Sequence, residues 1–363
     1  MGERILVQGN EAVCWGALAA DCEAFFGYPI TPQNEIIEWM SREFPSRGKV
    51  FVQAQDEIGA IGQVYGASAA GFRAMTSTAS PGWDLMLETM SNAGATELPY
   101  VVVMVQRGGY GQATTRHTQM DYASVCKGGG HGGYKNIVLA PHSVQETYEL
   151  MPLAFHLADK YRNPVVVLSD AIIGQMREVM EFKSFDFEPL PKKGWAVRGL
   201  RFQEDGKRRS LHPAIGVIPL EPPLSTYRSW QERMVKKIED MQSELRYELY
   251  RADDAKLLIV AFGYGARVSK EAIRRARAQG IKVGLLRPIT LWPFPAKVIK
   301  EKAGQGIKFL VVEDNLGLMV EDVRAAAEGR AEVNFLGMLS RDLPTDGGML
   351  MPGIILEGVK RLL

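Results

Sequence analysis

The sequence predicts an α/β protein: a doubly wound domain around a parallel sheet, followed by a smaller α/β domain. Five short β-branched runs, KVFVQA near residue 50, RAMTST near 75, YVVVMV near 102, NIVLA near 138 and PVVVLS near 166, alternate with helical stretches. Because these runs are apolar throughout, both faces of each strand must be covered, and the strand-helix alternation makes the strands parallel. A second series, KLLIVAF, KVGLLR, KFLVVED and EVNFLG, falls between residues 256 and 337, with VSKEAIRRARAQ as an intervening helix. At 363 residues the chain is also too long for one small core. We divide it into a domain over 1–175, a linker or insert with an amphipathic helix over 176–252, and a domain over 253–363.

Composition excludes several classes. Apolar residues make up 46% and charged residues 23%, as in ordinary globular proteins. With 43 basic and 42 acidic residues the net charge is +1, so no general attraction to nucleic acid or to an anionic membrane is expected. The start, MGERILVQGNEAV, has no apolar signal core, and no run reaches the roughly 18 apolar residues of a membrane span. A cytoplasmic protein is therefore expected. Cys14, Cys22 and Cys126 form no CxxC pair, which fits a reducing compartment, and they are too few for the four thiolates of an iron-sulfur cluster. The five histidines show no zinc-ligand spacing, so no metal site is expected in this chain.

Along the first domain, the strand-to-helix junctions carry the candidate chemistry, because loops at the ends of parallel strands are where such folds bind ligands. FFGYPITPQNE reads as the end of the first helix and the start of another; Pro29 and Pro32 stiffen the turn that presents Thr31. In QAQDEIGAIG, Asp56 reads as an N-cap and Glu57 as a first-turn acid, both drawn to the free amides there. Gly59, Gly62, Gly66 and Ala70 then share one helix face. Each glycine costs about 1 kcal/mol against alanine, so this face calls for close approach by something: a strand of the same domain, another backbone or a flat ligand.

TSTASPGWD offers Thr78, Ser80 and the amide of Gly82, and VQRGGYGQATTRHTQMD brings Arg107 and Arg116 into a glycine-rich loop. Arginine recognises carboxylates through two parallel bonds, which makes an acid substrate a natural guess, with surface solvation as the alternative for at least one of them. KGGGHGGYKN places five glycines around His131; without a GKS or GKT ending it is no Walker loop, and His131 reads as a polar lining residue.

The segment from EFKSFDFEPLPKKGW through RFQEDGKRRSLHPA to VIPLEPPLS is rich in proline and charge. It leads into a helix with Trp230, Met234, Ile238, Met241, Leu245 and Leu249 on one face, and Lys236 and Lys237 on a solvated one. In the second domain AFGYGARVSKEA suggests a dinucleotide loop, but Val268 replaces the third glycine of GxGxxG, and the next strand ends in LLRP without a ribose-binding acid. An NAD-linked dehydrogenase using the Gly263 loop is therefore the disfavoured alternative.

In order, GYPITP, QDEIGAIG, TSTASPG, VQRGG with QMDY, GGGHGGYKNIVLAP, VAFGYGARV, GLLRPITLWPFP and VVEDN resemble the alpha subunit of the 2-oxoacid:ferredoxin oxidoreductases, over almost the whole chain. The resemblance is nearest to the 2-oxoisovalerate and 2-oxoglutarate branches. It implies a thiamine diphosphate pyrimidine-binding domain followed by a transketolase C-terminal-like domain. The implied reaction is oxidative decarboxylation of a 2-oxoacid with coenzyme A, giving acyl-CoA, carbon dioxide and two electrons for ferredoxin.

Glu57 matches the family's glutamate on the aminopyrimidine ring, where a carboxyl favours the tautomer that activates the thiazolium. Thr31 matches the threonine near thiazolium and substrate, and Arg107 is assigned to the substrate carboxylate. Thr78, Ser80 and Gly82 are cofactor candidates, and Arg116, His131 and His117 substrate candidates. The loop YGQATTRH departs from the Gly-Pro-Ser/Gly type common in the family. A Gly-Asp-Gly motif for Mg²⁺ and diphosphate is missing, the nearest stretches being EDGK and TDGG. The resemblance thus implies half an active site, completed by a beta subunit holding Mg²⁺ and diphosphate, with gamma and ferredoxin-like delta subunits carrying iron-sulfur clusters. A subunit that kept the fold for assembly but lost the chemistry is the remaining alternative.

Overall fold

The computed structural model describes residues 3–112, 114–199, 223–337 and 349–363. The EDGK and TDGG stretches lie outside the described residues.

The larger sheet is built from β2 (Ala24–Gly27), β3 (Val50–Gln53), β4 (Ala74–Ala79), β5 (Val101–Gln106), β6 (Ile137–Leu139), β7 (Val165–Asp170) and β12 (Thr290–Trp292). Their spatial order is β12-β6-β7-β5-β4-β2-β3. All are parallel except β12, which pairs antiparallel with β6. The run VVVMV shows why the domain is doubly wound. Val101, Val103 and Val105 pack with residues of α1 (Gly9–Ala19), α2 (Asn34–Ser46) and α6 (Val144–Tyr161) on one face. Val102 and Met104 pack with Ile61, Trp83 and Met86 from α3 (Glu57–Ala69) and α4 (Ser80–Thr96) on the other. A strand covered on both sides can be apolar at every position.

A two-stranded antiparallel ribbon, β1 (Arg4–Gln8) with β8 (Arg177–Glu181), stands apart from this sheet. The smaller sheet has the order β14-β13-β10-β11-β9. Its parallel core is β10 (Leu257–Val260), β11 (Val283–Pro288), β13 (Lys308–Val312) and β14 (Val333–Leu336), with β9 (Tyr247–Tyr250) antiparallel at one edge. Around it lie α9 (Gly263–Ala278), α10 (Ala296–Gly304), α11 (Met319–Ala327) and α12 (Pro352–Leu362).

Three expectations need correction. AFFG forms strand β2, and the first helix stops at Ala19, so the YPITP turn leaves a strand, not a helix. The amphipathic helix α8 (Pro223–Met241) ends at Met241; Leu245 lies beyond a 3₁₀ turn and Leu249 is an exposed residue of β9. The 3.6-residue spacing continued by coincidence into a strand that owes its place to pairing with β11. Lys237 does not lie on a solvated face. Its side chain is buried 3.6 Å from Glu97 and donates to Arg162 O, and burial pushes its amine down to about 8, with Arg162 and Arg233 adding to the effect.

No helix among the described residues is long and apolar enough to cross a membrane.

Candidate active site

The candidate residues converge along one edge of the larger sheet, because parallel strands all end on the same side. Thr31 follows β2, Glu57 follows β3, Thr78 and Ser80 close β4 and open α4, and Arg107 follows β5. These four strands are consecutive in the sheet, in the order β5-β4-β2-β3.

Adjacent acids at the start of α3 have opposite fates. Asp56 is exposed at the N-cap, with extended backbone, and its Oδ1 accepts the Gly59 N–H at 2.7 Å. Glu57, one residue on, is only 5% exposed. Its carboxyl lies against the N-terminal turn of α4, where a Cβ on Gly82 would stand 2.5 Å from Glu57 Oε1 and 2.2 Å from Thr78 Oγ1. Glycine at 82 is thus dictated by the space Glu57 and Thr78 occupy. Burial raises the Glu57 carboxyl above the ordinary range and Asp56 adds to this, while its own backbone amide and Arg107 pull the other way.

Arg107 is 8% exposed and forms no ion pair among the described residues. Its Nη1 donates to Thr31 O at 3.0 Å, and its Nη2 to Gln112 O and Oε1 at 3.1 Å each. Its Nε is buried with no hydrogen-bond partner among the described residues. A buried guanidinium bonded only to neutral acceptors is the arrangement that an arriving carboxylate would complete. The Thr31 turn is held from below by two residues the sequence did not single out: Asn10 Nδ2 donates to Pro32 O at 2.8 Å, and Gln33 bridges Tyr28 O and Ser77 Oγ.

Ser80 also spends its hydroxyl inside the protein. Its Oγ donates to Asp121 Oδ2 at 2.5 Å and accepts the Arg107 N–H at 3.0 Å. Asp121 is therefore part of the constellation; its place in the QMDY stretch was the available signal.

Other candidates are not brought to this trio by any hydrogen bond. Arg116 is exposed. His117 is turned to the second domain, with Nδ1 2.7 Å from Asp314 Oδ2, and Tyr264 OH bonds the same carboxylate. His131 is exposed on a loop that lies on α4, where Cβ atoms at Gly129 and Gly130 would collide with Leu87. That contact accounts for two of the five glycines. On α3, added Cβ atoms at Gly62 and Gly66 would meet nothing within 4 Å, so packing against a strand of the same domain is ruled out for them.

The dinucleotide reading fails on geometry. The Tyr264 N–H at the start of α9 donates to Asp170 Oδ2 at 3.0 Å, so a buried carboxylate already occupies the position a pyrophosphate would need. No group of three or more metal-ligating side chains occurs among the described residues.

Residues 15–204 match the model described as pyruvate flavodoxin/ferredoxin oxidoreductase, thiamine diphosphate-binding. The chain belongs to the 2-oxoacid:ferredoxin oxidoreductases. Residues 255–345 match core domain II of pyruvate:ferredoxin oxidoreductase. The chain is 45% identical over 339 residues to ketoisovalerate oxidoreductase subunit VorB of Methanothermobacter thermautotrophicus, covering 93% of this chain and 94% of the relative. It is 37% identical over 362 residues to 2-oxoglutarate synthase subunit KorA of Methanothermobacter marburgensis, covering 94% and 96%.

The solved 2-oxoglutarate:ferredoxin oxidoreductase from Magnetococcus marinus, with 2-oxoglutarate, coenzyme A and succinyl-CoA bound, superposes with a TM-score of 0.82 at 28% identity. That match covers 99% of this chain and 65% of the other. A split-gene transketolase shares the fold, with a TM-score of 0.58 at 13% identity. This 2-oxoacid:ferredoxin oxidoreductase chain is thus an alpha-type subunit with a transketolase-like α/β architecture, and its buried, proton-prone Glu57 fits a thiamine ring.

Proposed function

We propose that this chain supplies the aminopyrimidine half of a thiamine diphosphate site and the substrate-carboxylate subsite of a heteromeric enzyme. The enzyme oxidatively decarboxylates a 2-oxoacid with coenzyme A, releasing acyl-CoA and carbon dioxide and passing electrons to ferredoxin. The observation that carries this is the pairing of a buried carboxyl inclined to hold a proton, Glu57, with a buried guanidinium that forms no ion pair among the described residues, Arg107.

Thiamine diphosphate, when bound, supplies the carbon nucleophile and the electron sink. Glu57 is assigned to hold a proton against the ring nitrogen, a role favoured by the upward shift that burial gives its carboxyl. Arg107 takes the 2-oxoacid carboxylate, and Thr31 lies beside it. Thr78 and Gly82 shape the pocket wall around Glu57, and Ser80 fixes the backbone of Arg107. Arg116 and His131, both exposed, are assigned to the substrate's outer end.

We assign residues 1–175 to the pyrimidine-binding domain, 176–252 to the connecting segment and 253–363 to the transketolase C-terminal-like domain. Mg²⁺ and diphosphate binding fall to a beta subunit, and iron-sulfur clusters to gamma and ferredoxin-like delta subunits; the three cysteines here are free and buried. Free thiols also suit the reducing cytoplasm, where we place the assembly. The higher identity to the ketoisovalerate relative favours a branched-chain 2-oxoacid over 2-oxoglutarate.

The test is reconstitution. Co-expressed with the subunits encoded beside it, the chain should form a complex that reduces viologen with coenzyme A and 2-oxoisovalerate. Failure with that substrate and with 2-oxoglutarate would end the proposal.

A further inference from the structure

Asp121 stands on the far side of Ser80 from Arg107. The Ser80 hydroxyl links them: its Oγ is 2.5 Å from Asp121 Oδ2, accepts the Arg107 N–H at 3.0 Å, and lies 3.2 Å from Arg107 O. The Asp121 backbone N–H donates to Gln106 Oε1 at 3.2 Å, so its backbone is anchored to the last residue of the strand that Arg107 follows. We propose that Asp121 is a proton-accepting group coupled to the carboxylate subsite at Arg107, so that an anionic 2-oxoacid binds together with one proton taken from solvent. The inference rests on the assignment of Arg107 to the substrate carboxylate.

Electrostatics supports the coupling. Burial pushes the Asp121 carboxyl up to about 7; the Ser80 hydrogen bond opposes this, Asp84 on α4 reinforces it as a like charge, and Arg107 opposes it. Among the described residues, Asp84 and Arg107 are the charged groups that act on Asp121. Near neutral pH the carboxyl is therefore poised between its two forms. A 2-oxoacid carboxylate on Arg107 neutralises the cation that favours ionised Asp121 and adds a second negative charge nearby. Both changes drive Asp121 to its protonated form, and by reciprocity protonation favours the anion.

Ser80 carries the change to the backbone of Arg107, while the guanidinium acts on Asp121 through its charge. While Asp121 is ionised, the Ser80 proton points to it. Once protonated, Asp121 can donate to Ser80 Oγ, and the Ser80 proton can turn to Arg107 O. No covalent bond other than the new O–H on Asp121 forms, and the proton comes from the buffer.

The experiment is the KM for 2-oxoisovalerate, or for 2-oxoglutarate if that is the acid turned over, from pH 6 to 9 in the assembled enzyme. In the wild type KM should rise above about pH 7 by up to roughly tenfold per pH unit, the slope of one linked proton. Asp121→Asn, neutral at every pH, should lack that rise and show the lower KM at pH 9. A flat wild-type profile, or an unaltered rise in Asp121→Asn, overturns the proposal.

A second measurement needs no variant: calorimetry of the same 2-oxoacid with the cofactor-stripped wild-type complex at pH 7.5, in phosphate and in Tris. Heats that differ with buffer ionisation enthalpy support proton uptake; equal heats, or none, count against it. Arg107→Met separates the two claims. An unchanged KM in that variant removes Arg107 from the carboxylate, whereas a raised KM there with an unaltered pH rise in Asp121→Asn removes Asp121 alone.

Discussion

At the residue scale, one step along the chain separates a helix cap from a candidate acid-base group. Asp56 and Glu57 are the same chemistry in consecutive positions, yet Asp56 meets water and its own helix, while Glu57 is covered by the start of α4. A carboxyl whose value is raised in the folded chain weighs against stability once the pH climbs past its unfolded value, about 4.3, and increasingly as it passes through the raised one. Replacing Glu57 by Gln removes that charge while keeping the shape. We therefore expect Glu57→Gln to leave the melting temperature of the chain at pH 7 unchanged or higher while lowering kcat about a hundredfold or more. Thermal denaturation and viologen reduction, measured on one preparation, check both halves; a destabilised or fully active variant would contradict this account. The acids were legible in the sequence as a helix start. Which of them is buried depends on Gly82 and Thr78, some 25 positions later, and no local pattern encodes that contact.

At the element scale, α3 turns a glycine-bearing face outward. Gly62 and Gly66 are exposed with open space where a Cβ would be, and exposed Ile58 lies one turn before Gly62. Glycine in an exposed helix lowers stability by about 1 kcal/mol against a good helix former. Gly62→Leu should therefore raise the stability of the isolated chain and, if a partner subunit's backbone or the cofactor approaches this face, impair assembly. Size-exclusion chromatography of the co-expressed subunits distinguishes the outcomes: a variant that assembles as well as the wild type would show that nothing packs there. The apolar strands β4 to β7 were legible because continuous burial leaves a continuous pattern; the VFV run of β3, expected to be covered on both faces, is instead an edge strand with Val50 48% and Val52 37% exposed. AFFG was not, being a short strand between Cys22 and a proline turn, and Leu249 belonged to a strand whose only cue was its neighbour β11.

At the scale of the whole molecule, a buried arginine joins the two sheets' domains. Arg287, at 4% side-chain exposure, donates from Nη1 and Nη2 to both oxygens of Glu146 at 2.9 Å and from Nε to Glu248 at 2.8 Å. Burial alone would raise Glu146, but the hydrogen bond from His142 and the charge of Arg287 outweigh it and bring the carboxyl to about 2. A depressed carboxyl contributes stability above its unfolded value and loses it as pH falls, so this contribution should fade between about pH 4.3 and about 2. Arg287→Met leaves two carboxylates facing each other and should cost about 3–5 kcal/mol in urea denaturation at pH 7. The deficit should shrink toward pH 2; a loss under about 1 kcal/mol at pH 7 would show that water replaces the arginine. Strand β12 makes the same junction through the backbone, extending the larger sheet with residues from the second domain.

The sequence by itself determined the class of fold, the strand ends that carry Glu57 and Arg107, and the family, because burial pattern and glycine or proline turns are local properties of a chain. Only the tertiary structure decided which polar groups lack partners and which are spoken for. Among the described residues Arg107 Nε stays unpaired and Glu57 is buried, while His117 is claimed by Asp314 and the start of α9 by Asp170. Those facts depend on distances between residues far apart in the chain, and in a low-dielectric interior such distances set protonation and charge pairing.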